Sequence, residues 1–119
     1  MALLVAVTAA YTNPLDKTLK RHVLIQSGVM VKCPKDSKLL PKKITLDNEY
    51  IYVFLNTDKL PSISTCHFIN RWWNTVIIGA VPIKAVLKDK MACIVIPMFK
   101  KSYRYEALIN GNHFWFYRK

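Results

Sequence analysis

The dipeptide Asn110-Gly111 constrains this chain more than any other feature of its sequence. It separates two segments rich in aromatic and β-branched residues, and Asn-Gly favours a two-residue hairpin turn because both turn positions need a positive φ. A two-residue turn also fixes the register of the strands, which pairs Ala107 with Phe114, Tyr105 with Phe116 and Arg104 with Tyr117. The sequence therefore predicts a C-terminal hairpin formed by residues 103–109 and 112–118.

Because side chains alternate along a strand, this hairpin has two unlike faces. The first is apolar and suits a core; it carries Tyr103, Tyr105, Ala107, Ile109, Phe114 and Phe116. The second mixes rings with charged groups; it carries Arg104, Glu106, Leu108, His113, Trp115, Tyr117 and Lys119. Rings beside cations suit bases and phosphates, so we expect Trp115 and Tyr117 to stack on bases. The alternative is that both rings cover a second core layer or a dimer contact.

The charge of the chain points to an anionic partner. Eighteen Lys and Arg against seven Asp and Glu give a net charge of +11 and a pI of about 9.8, which is typical of nucleic-acid-binding domains and also fits an anionic membrane surface. The cations are spread along the chain, so only folding can gather them into a patch. The predicted phosphate contacts are Lys17, Lys20, Arg21, Lys42, Lys43, Lys100, Lys101, Arg104 and Lys119.

Local signals predict two helices within an α+β domain. Residues 3–9 form a short apolar run typical of a strand, and residues 13–27 form a helical pattern that Asn13 can cap and Gly28 can close. Residues 62–73 repeat near-helical spacing. With the strands between them, the order is β-α-β-β-α-β, followed by a C-terminal meander and hairpin, in an antiparallel-rich sheet. The alternative is a mostly-β sandwich or barrel in which the second helix is misread.

Two further aromatic groups stand out. Tyr50, Tyr52 and Phe54 share one face of a segment that should be a central strand, and we favour burial of such a stripe over contact with bases. Trp72 and Trp73 are adjacent in the second predicted helix, where they point about 100° apart. Both cannot face the same core, so one of them should lie near the surface.

No residue pattern indicates catalysis, a metal or a cofactor. The histidines and cysteines have no paired ligand spacing; they are His22, His67, His113, Cys33, Cys66 and Cys93. The odd number of widely separated cysteines argues against a disulfide framework and for a reducing compartment. The three glycines stand alone, which excludes a recognisable phosphate-binding loop. A metal-dependent nickase would need a second histidine near His67, and the sequence offers none there.

Together these observations predict a single domain over residues 1–119, with no signal peptide or transmembrane segment and an intracellular location, cytoplasmic or nuclear. The expected function is non-enzymatic binding of RNA or single-stranded DNA. The alternative is a basic scaffold that binds acidic membranes or a protein partner and self-associates. A homodimer is compatible with both functions.

Overall fold

The computed structural model describes residues 21–73, 76–78 and 83–119, and within these ranges it contains strands and no helix. The strands are β1 (Arg21–Gln26), β2 (Val29–Pro34), β3 (Pro41–Leu46), β4 (Tyr50–Leu55), β5 (Ile63–Asn70), β6 (Val76–Ile78), β7 (Lys84–Lys88), β8 (Met91–Pro97), β9 (Tyr103–Ile109) and β10 (Asn112–Arg118). They form a six-stranded sheet in the order β1-β2-β10-β9-β5-β6 and a four-stranded sheet in the order β3-β4-β8-β7. In the described ranges, no helix is present that could cross a membrane.

Consecutive strands pair two by two, so the chain is a series of antiparallel hairpins that alternate between the sheets. The hairpins β1–β2, β5–β6 and β9–β10 build the six-stranded sheet, while β3–β4 and β7–β8 build the other. Strand β10 pairs with β2, and β9 pairs with β5. The C-terminal hairpin therefore lies at the centre of the larger sheet and joins its two halves.

The predicted register of the C-terminal hairpin is confirmed. The observed pairs include Phe114 with Ala107, Phe116 with Tyr105 and Tyr117 with Arg104. Asn110 and Gly111 have φ values of 49° and 79°, as a two-residue turn of type I′ requires. The predicted apolar face is also confirmed, since Tyr105, Phe114 and Phe116 are among the largest fully buried side chains.

The same turn recurs at two other hairpins. Ser27 and Gly28 join β1 to β2 with φ values of 55° and 74°, and Asp89 and Lys90 join β7 to β8 with φ values of 54° and 63°. The left-handed region costs an ordinary L residue roughly 1–2 kcal/mol, whereas glycine adopts it without that cost. The Asp89-Lys90 turn is the strained member of the series because neither position is glycine.

The α+β prediction is wrong at both helices. Residues 21–26 of the first predicted helix form β1, and the Ser27-Gly28 pair that was expected to end a helix is a hairpin turn. Residues 3–20, which include the predicted first strand, lie outside the described residues. Gly28 satisfies either interpretation locally, because a helix C-terminus and a type I′ turn both need a positive φ.

The second predicted helix, residues 62–73, is strand β5 followed by a turn. Its apolar residues happen to recur at helical spacing, but Ile63, Phe68 and Ile69 have side chains that favour a strand. Pairing with the central strand β9 supplies the backbone hydrogen bonds and decides the outcome. The two antiparallel sheets correspond to the mostly-β alternative, and the last two strands cover the predicted residues 103–109 and 112–118.

Apolar side chains from both sheets form one core. Alternate residues of β2 and β10 enter it from the larger sheet, and Ile51, Val53 and Leu55 of β4 enter it from the smaller one. Cys33 and Cys93 are free and buried. Burial raises the pKa of the Cys33 thiol to about 11, so this group stays protonated and unreactive at neutral pH.

The turns generate a stability prediction. We expect Lys90→Gly to raise the free energy of unfolding by about 0.5–1 kcal/mol, because glycine removes the strain at φ 63°. We expect Gly111→Ala to lower it by about 1 kcal/mol. A Cβ at Gly111 would meet no atom within 4 Å, so the loss would come from the backbone alone. Urea unfolding of both variants measures this, and equal stability of all three chains would contradict it.

Candidate nucleic-acid interface

The side of the six-stranded sheet that points away from the core is termed the outer face. Its central members alternate with core residues along β2, β9 and β10, so the burial that fixes the core also fixes them. These central members are Lys32, Arg104, Glu106, His113, Trp115 and Tyr117.

Four of the side chains on the outer face form one row across the strands. Trp115 lies opposite Lys32 on one side and opposite Glu106 on the other, and Glu106 in turn lies opposite His67 of β5. Directly opposed residues on one face of an antiparallel sheet have Cβ atoms about 4.5–5.5 Å apart. A cation, a ring, a carboxylate and an imidazole are therefore neighbours at the centre of the sheet.

Cations lie over both rings of the predicted stacking platform. The Arg21 guanidinium carbon is 4.6 Å from the centroid of Trp115. The Lys32 Nζ atom and the Arg71 guanidinium carbon are 5.3 Å and 5.1 Å from the centroid of Tyr117. Both rings are half-buried, so neither is sealed in the core. Burial also raises the pKa of the Tyr117 hydroxyl above its usual value.

The Arg71 side chain is held in place by backbone carbonyls. Its Nη1 donates to the Lys101 carbonyl at 3.0 Å and to the Arg118 carbonyl at 3.3 Å. The Arg118 Nη1 donates in turn to the Phe99 carbonyl at 2.9 Å. Carbonyl acceptors leave the guanidinium charge intact, so Arg71 presents a positioned positive charge beside Tyr117.

Glu106 is the electrostatic centre of the outer face. Its Oε2 accepts a hydrogen bond from Arg104 Nε, and its Oε1 lies 3.0 Å from His113 Nε2 and 4.0 Å from His67 Nε2. The Glu106 side chain is 9% exposed, against 42% for His113 and 24% for His67. The His113 ring also stacks on Trp115 with centroids 4.1 Å apart. The carboxylate is therefore enclosed, while both imidazoles reach the surface.

Acidic residues are otherwise excluded from this sheet. Glu106 is the one Asp or Glu on the six strands of the larger sheet as the structure describes them. The other described acids lie in loops and turns; they are Asp36, Asp47, Glu49, Asp58 and Asp89. Because Arg104 pairs with Glu106, the remaining cations of the outer face are left in excess.

The structure brings together part of the predicted site. Arg21, Arg104, Trp115 and Tyr117 lie on the outer face. The end of the sheet beside Tyr117 holds two further predicted lysines, Lys101 near Arg71 and Lys119 near the β1–β2 turn. Lys100 lies against Tyr103 on the core-facing side instead, with its Nζ 5.8 Å from the ring centroid. Two others, Lys42 and Lys43, belong to β3 of the other sheet and do not join the rings. Lys17 and Lys20 lie outside the described residues.

Sequence reasoning missed the contributions of Lys32, Arg71 and His67. Lys32 alternates with the core residues Val31 and Cys33, which indicates an outward side chain. Its place beside Trp115 depends on pairing between β2 and β10, which are far apart in the sequence. His67 joins Glu106 for the same reason, through the pairing of β5 with β9.

The other aromatic stripe lies on the opposite side of the molecule. Strand β4 is central in its sheet, as predicted, and Phe54 is buried beneath the Lys43 ammonium, whose Nζ is 4.4 Å from the ring centroid. Tyr50 is exposed, and the Tyr52 hydroxyl donates to Asp47 Oδ2 at 2.7 Å. The Lys88 Nζ atom is 5.5 Å from the Tyr52 ring centroid, so this surface combines rings, lysines and a carboxylate.

Trp72 and Trp73 both lie at the surface, rather than one of them as expected. They follow β5 in a turn where Asn70 Oδ1 accepts the backbone N–H of Trp72 at 2.8 Å and of Trp73 at 3.0 Å. The two residues are 75% and 78% exposed. Such high exposure is unusual for so large an apolar side chain.

Within the described ranges, no group of three or more His, Cys, Asp or Glu could hold a metal ion. No family model, curated protein or solved structure matches the chain. The function is therefore inferred from the geometry and charge of the chain itself.

Proposed function

We propose that this protein binds single-stranded nucleic acid, RNA or DNA, on the outer face of its six-stranded sheet. The observation that carries the proposal is the pair of half-buried rings, Trp115 and Tyr117, with cationic groups 4.6–5.3 Å from their centroids. Bases stack on such rings and phosphates pair with the cations. The open face of a sheet suits an unpaired strand, whose bases can splay out.

A comparison of the two interaction energies supports stacking of bases on rings that cations already cover. A cation over an exposed ring contributes about 0.5–1 kcal/mol, whereas a stacked base contributes about 1–3 kcal/mol. A base can therefore replace the Arg21 guanidinium on Trp115, and the adjoining phosphate then lies beside this positive charge. Cations over the rings of the free protein are therefore compatible with base stacking, because a base can replace a cation on the ring.

The charge pattern supports the same conclusion. With Glu106 neutralised by Arg104, the outer face retains Arg21, Lys32 and Arg71 without a further acid on the described strands of this sheet. Phosphate contacts of this kind release counterions, so binding should weaken steeply as salt rises.

Paired variants separate stacking from charge. We expect Trp115→Ala to weaken binding to an oligouridylate roughly tenfold or more without changing the slope of log affinity against log salt. We expect Lys32→Gln to reduce that slope by roughly 0.7, the value for one single-strand phosphate contact. Fluorescence anisotropy over a salt series measures both quantities, at a temperature where circular dichroism shows each variant to be folded.

The matched controls are Tyr50→Ala and Lys84→Gln, which remove an exposed ring and an exposed cation from the four-stranded sheet. Both should retain the affinity and the salt slope of the unaltered chain. Equal losses in the controls, or affinity that hardly changes with salt, would refute a platform on the outer face.

The second candidate function is docking on an anionic membrane through the turn after β5. Trp72 and Trp73 are highly exposed there, and the Arg71 guanidinium carbon is 6.0 Å from the Trp72 ring centroid. Tryptophan favours the membrane interface, and anionic lipids attract adjacent cations.

Sedimentation with phosphatidylserine vesicles tests this candidate at the ionic strength of the oligonucleotide assay. If it is correct, the chain sediments with the vesicles, the double variant Trp72→Ala/Trp73→Ala does not, and Trp115→Ala still does. A chain that stays in the supernatant, or a double variant that sediments unchanged, would eliminate membrane docking.

A further inference from the structure

We propose that the outer face also carries an acid–base site, formed by His67, His113 and Glu106, that cleaves RNA at the ribose 2′-hydroxyl. The inference rests on the proposed function, because RNA must first lie across this face. It assigns chemistry to two histidines that the binding function leaves unused.

The geometry of the carboxylate carries the inference. The Nε2 atoms of His113 and His67 lie 3.0 Å and 4.0 Å from the same Glu106 oxygen, because β10 and β5 flank β9 on either side. Arg104 binds the other oxygen. Arg104 and His113 already contact one oxygen each of the Glu106 carboxylate. The carboxylate therefore does not need a second imidazole, that of His67, as a partner.

Exposure divides the roles within this group. The His113 and His67 side chains are 42% and 24% exposed and can touch a substrate, whereas Glu106 is 9% exposed and cannot. The two histidines are thus the catalytic residues, and Glu106 is a positioning residue that orients them. A carboxylate that fixes the ring of a catalytic histidine is a recurrent arrangement in acid–base catalysis.

The stacking platform places the substrate beside these imidazoles. The His113 ring stacks on Trp115 at 4.1 Å, and Arg21 lies over the same Trp115 ring. A base that replaces Arg21 on Trp115 leaves its ribose and phosphate next to His113, and the positive charge of Arg21 stabilises the phosphoryl oxygens from the same face.

The reaction is an internal transesterification. One neutral imidazole removes the proton of the 2′-hydroxyl while the 2′-oxygen forms a bond to phosphorus. The other imidazole, in its protonated form, donates its proton to the 5′-oxygen while the phosphorus–5′-oxygen bond breaks. The products are a 2′,3′-cyclic phosphate and a free 5′-hydroxyl. The base, the acid and the stabilising charge are all side chains, so the step balances without a co-reactant.

The test uses the full chain in EDTA with an end-labelled oligoribonucleotide and its all-deoxy counterpart. We expect the RNA to be cut into fragments that end in a 2′,3′-cyclic phosphate and the DNA to remain intact. The cleavage rate should follow a bell-shaped pH profile, since one imidazole must be neutral and the other charged. His67→Ala and His113→Ala should each reduce the rate roughly 10²–10⁴-fold, measured at a protein concentration that saturates the oligonucleotide so that affinity does not enter the comparison.

The matched control is His22→Ala, because His22 lies on β1 opposite the core residue Cys33 and away from Glu106. This variant should cleave as fast as the unaltered chain. Glu106→Gln should reduce the cleavage rate, and the conservative variant Glu106→Asp should restore part of it, a rescue that a purely structural role would not require. Cleavage that persists in His113→Ala, or RNA that is bound but stays intact at every pH, overturns the acid–base site and leaves the binding proposal standing. Failure to bind either oligonucleotide overturns the binding proposal itself.

Discussion

The register of the β9–β10 hairpin is the constraint on which the rest of the structure depends. Burial of Phe114 and Phe116 in the core forces the residues between and beyond them, Trp115 and Tyr117, to the outer face. A shift of one residue would exchange the two sets, at the cost of exposing the largest core side chains. Because this hairpin joins the two halves of the six-stranded sheet, its register also decides which groups of β2 and β5 meet the rings.

Electrostatics on the outer face follow from this arrangement. One enclosed carboxylate, Glu106, is shared among Arg104, His113 and His67. Arg21, Lys32 and Arg71 lie over the rings of Trp115 and Tyr117 on the same face. The Glu106 carboxylate has a different role in the proposed binding and in the proposed cleavage. It holds Arg104 in the sheet, which leaves the other cations for phosphates, and it fixes two imidazoles where a bound strand would pass. Binding and cleavage would then share one surface, with stacking on Trp115 as the step common to both.

The sequence predicted the features that depend on neighbouring residues, and it did not predict those that depend on pairing between distant strands. The Asn110-Gly111 turn is a local signal, and it predicted the hairpin, its register and both faces correctly. The helix predictions failed because Gly28 fits a helix end as well as a hairpin turn, and because pairing of Ile63–Asn70 with a distant strand overrode a helical spacing of apolar residues. For the same reason, Lys32 and His67 could not be placed beside Trp115 and Glu106, since strands far apart in the chain had to pair first.

Titration of the ¹⁵N-labelled chain with an oligouridylate, followed by NMR, tests the central claim most directly. The account predicts that the largest chemical-shift changes fall on the Trp115 indole N–H and on backbone amides of β2, β9 and β10, while those of β4 and β7 stay unchanged. Changes concentrated on the four-stranded sheet, or spread evenly over both sheets, would contradict a ligand surface formed by the outer face.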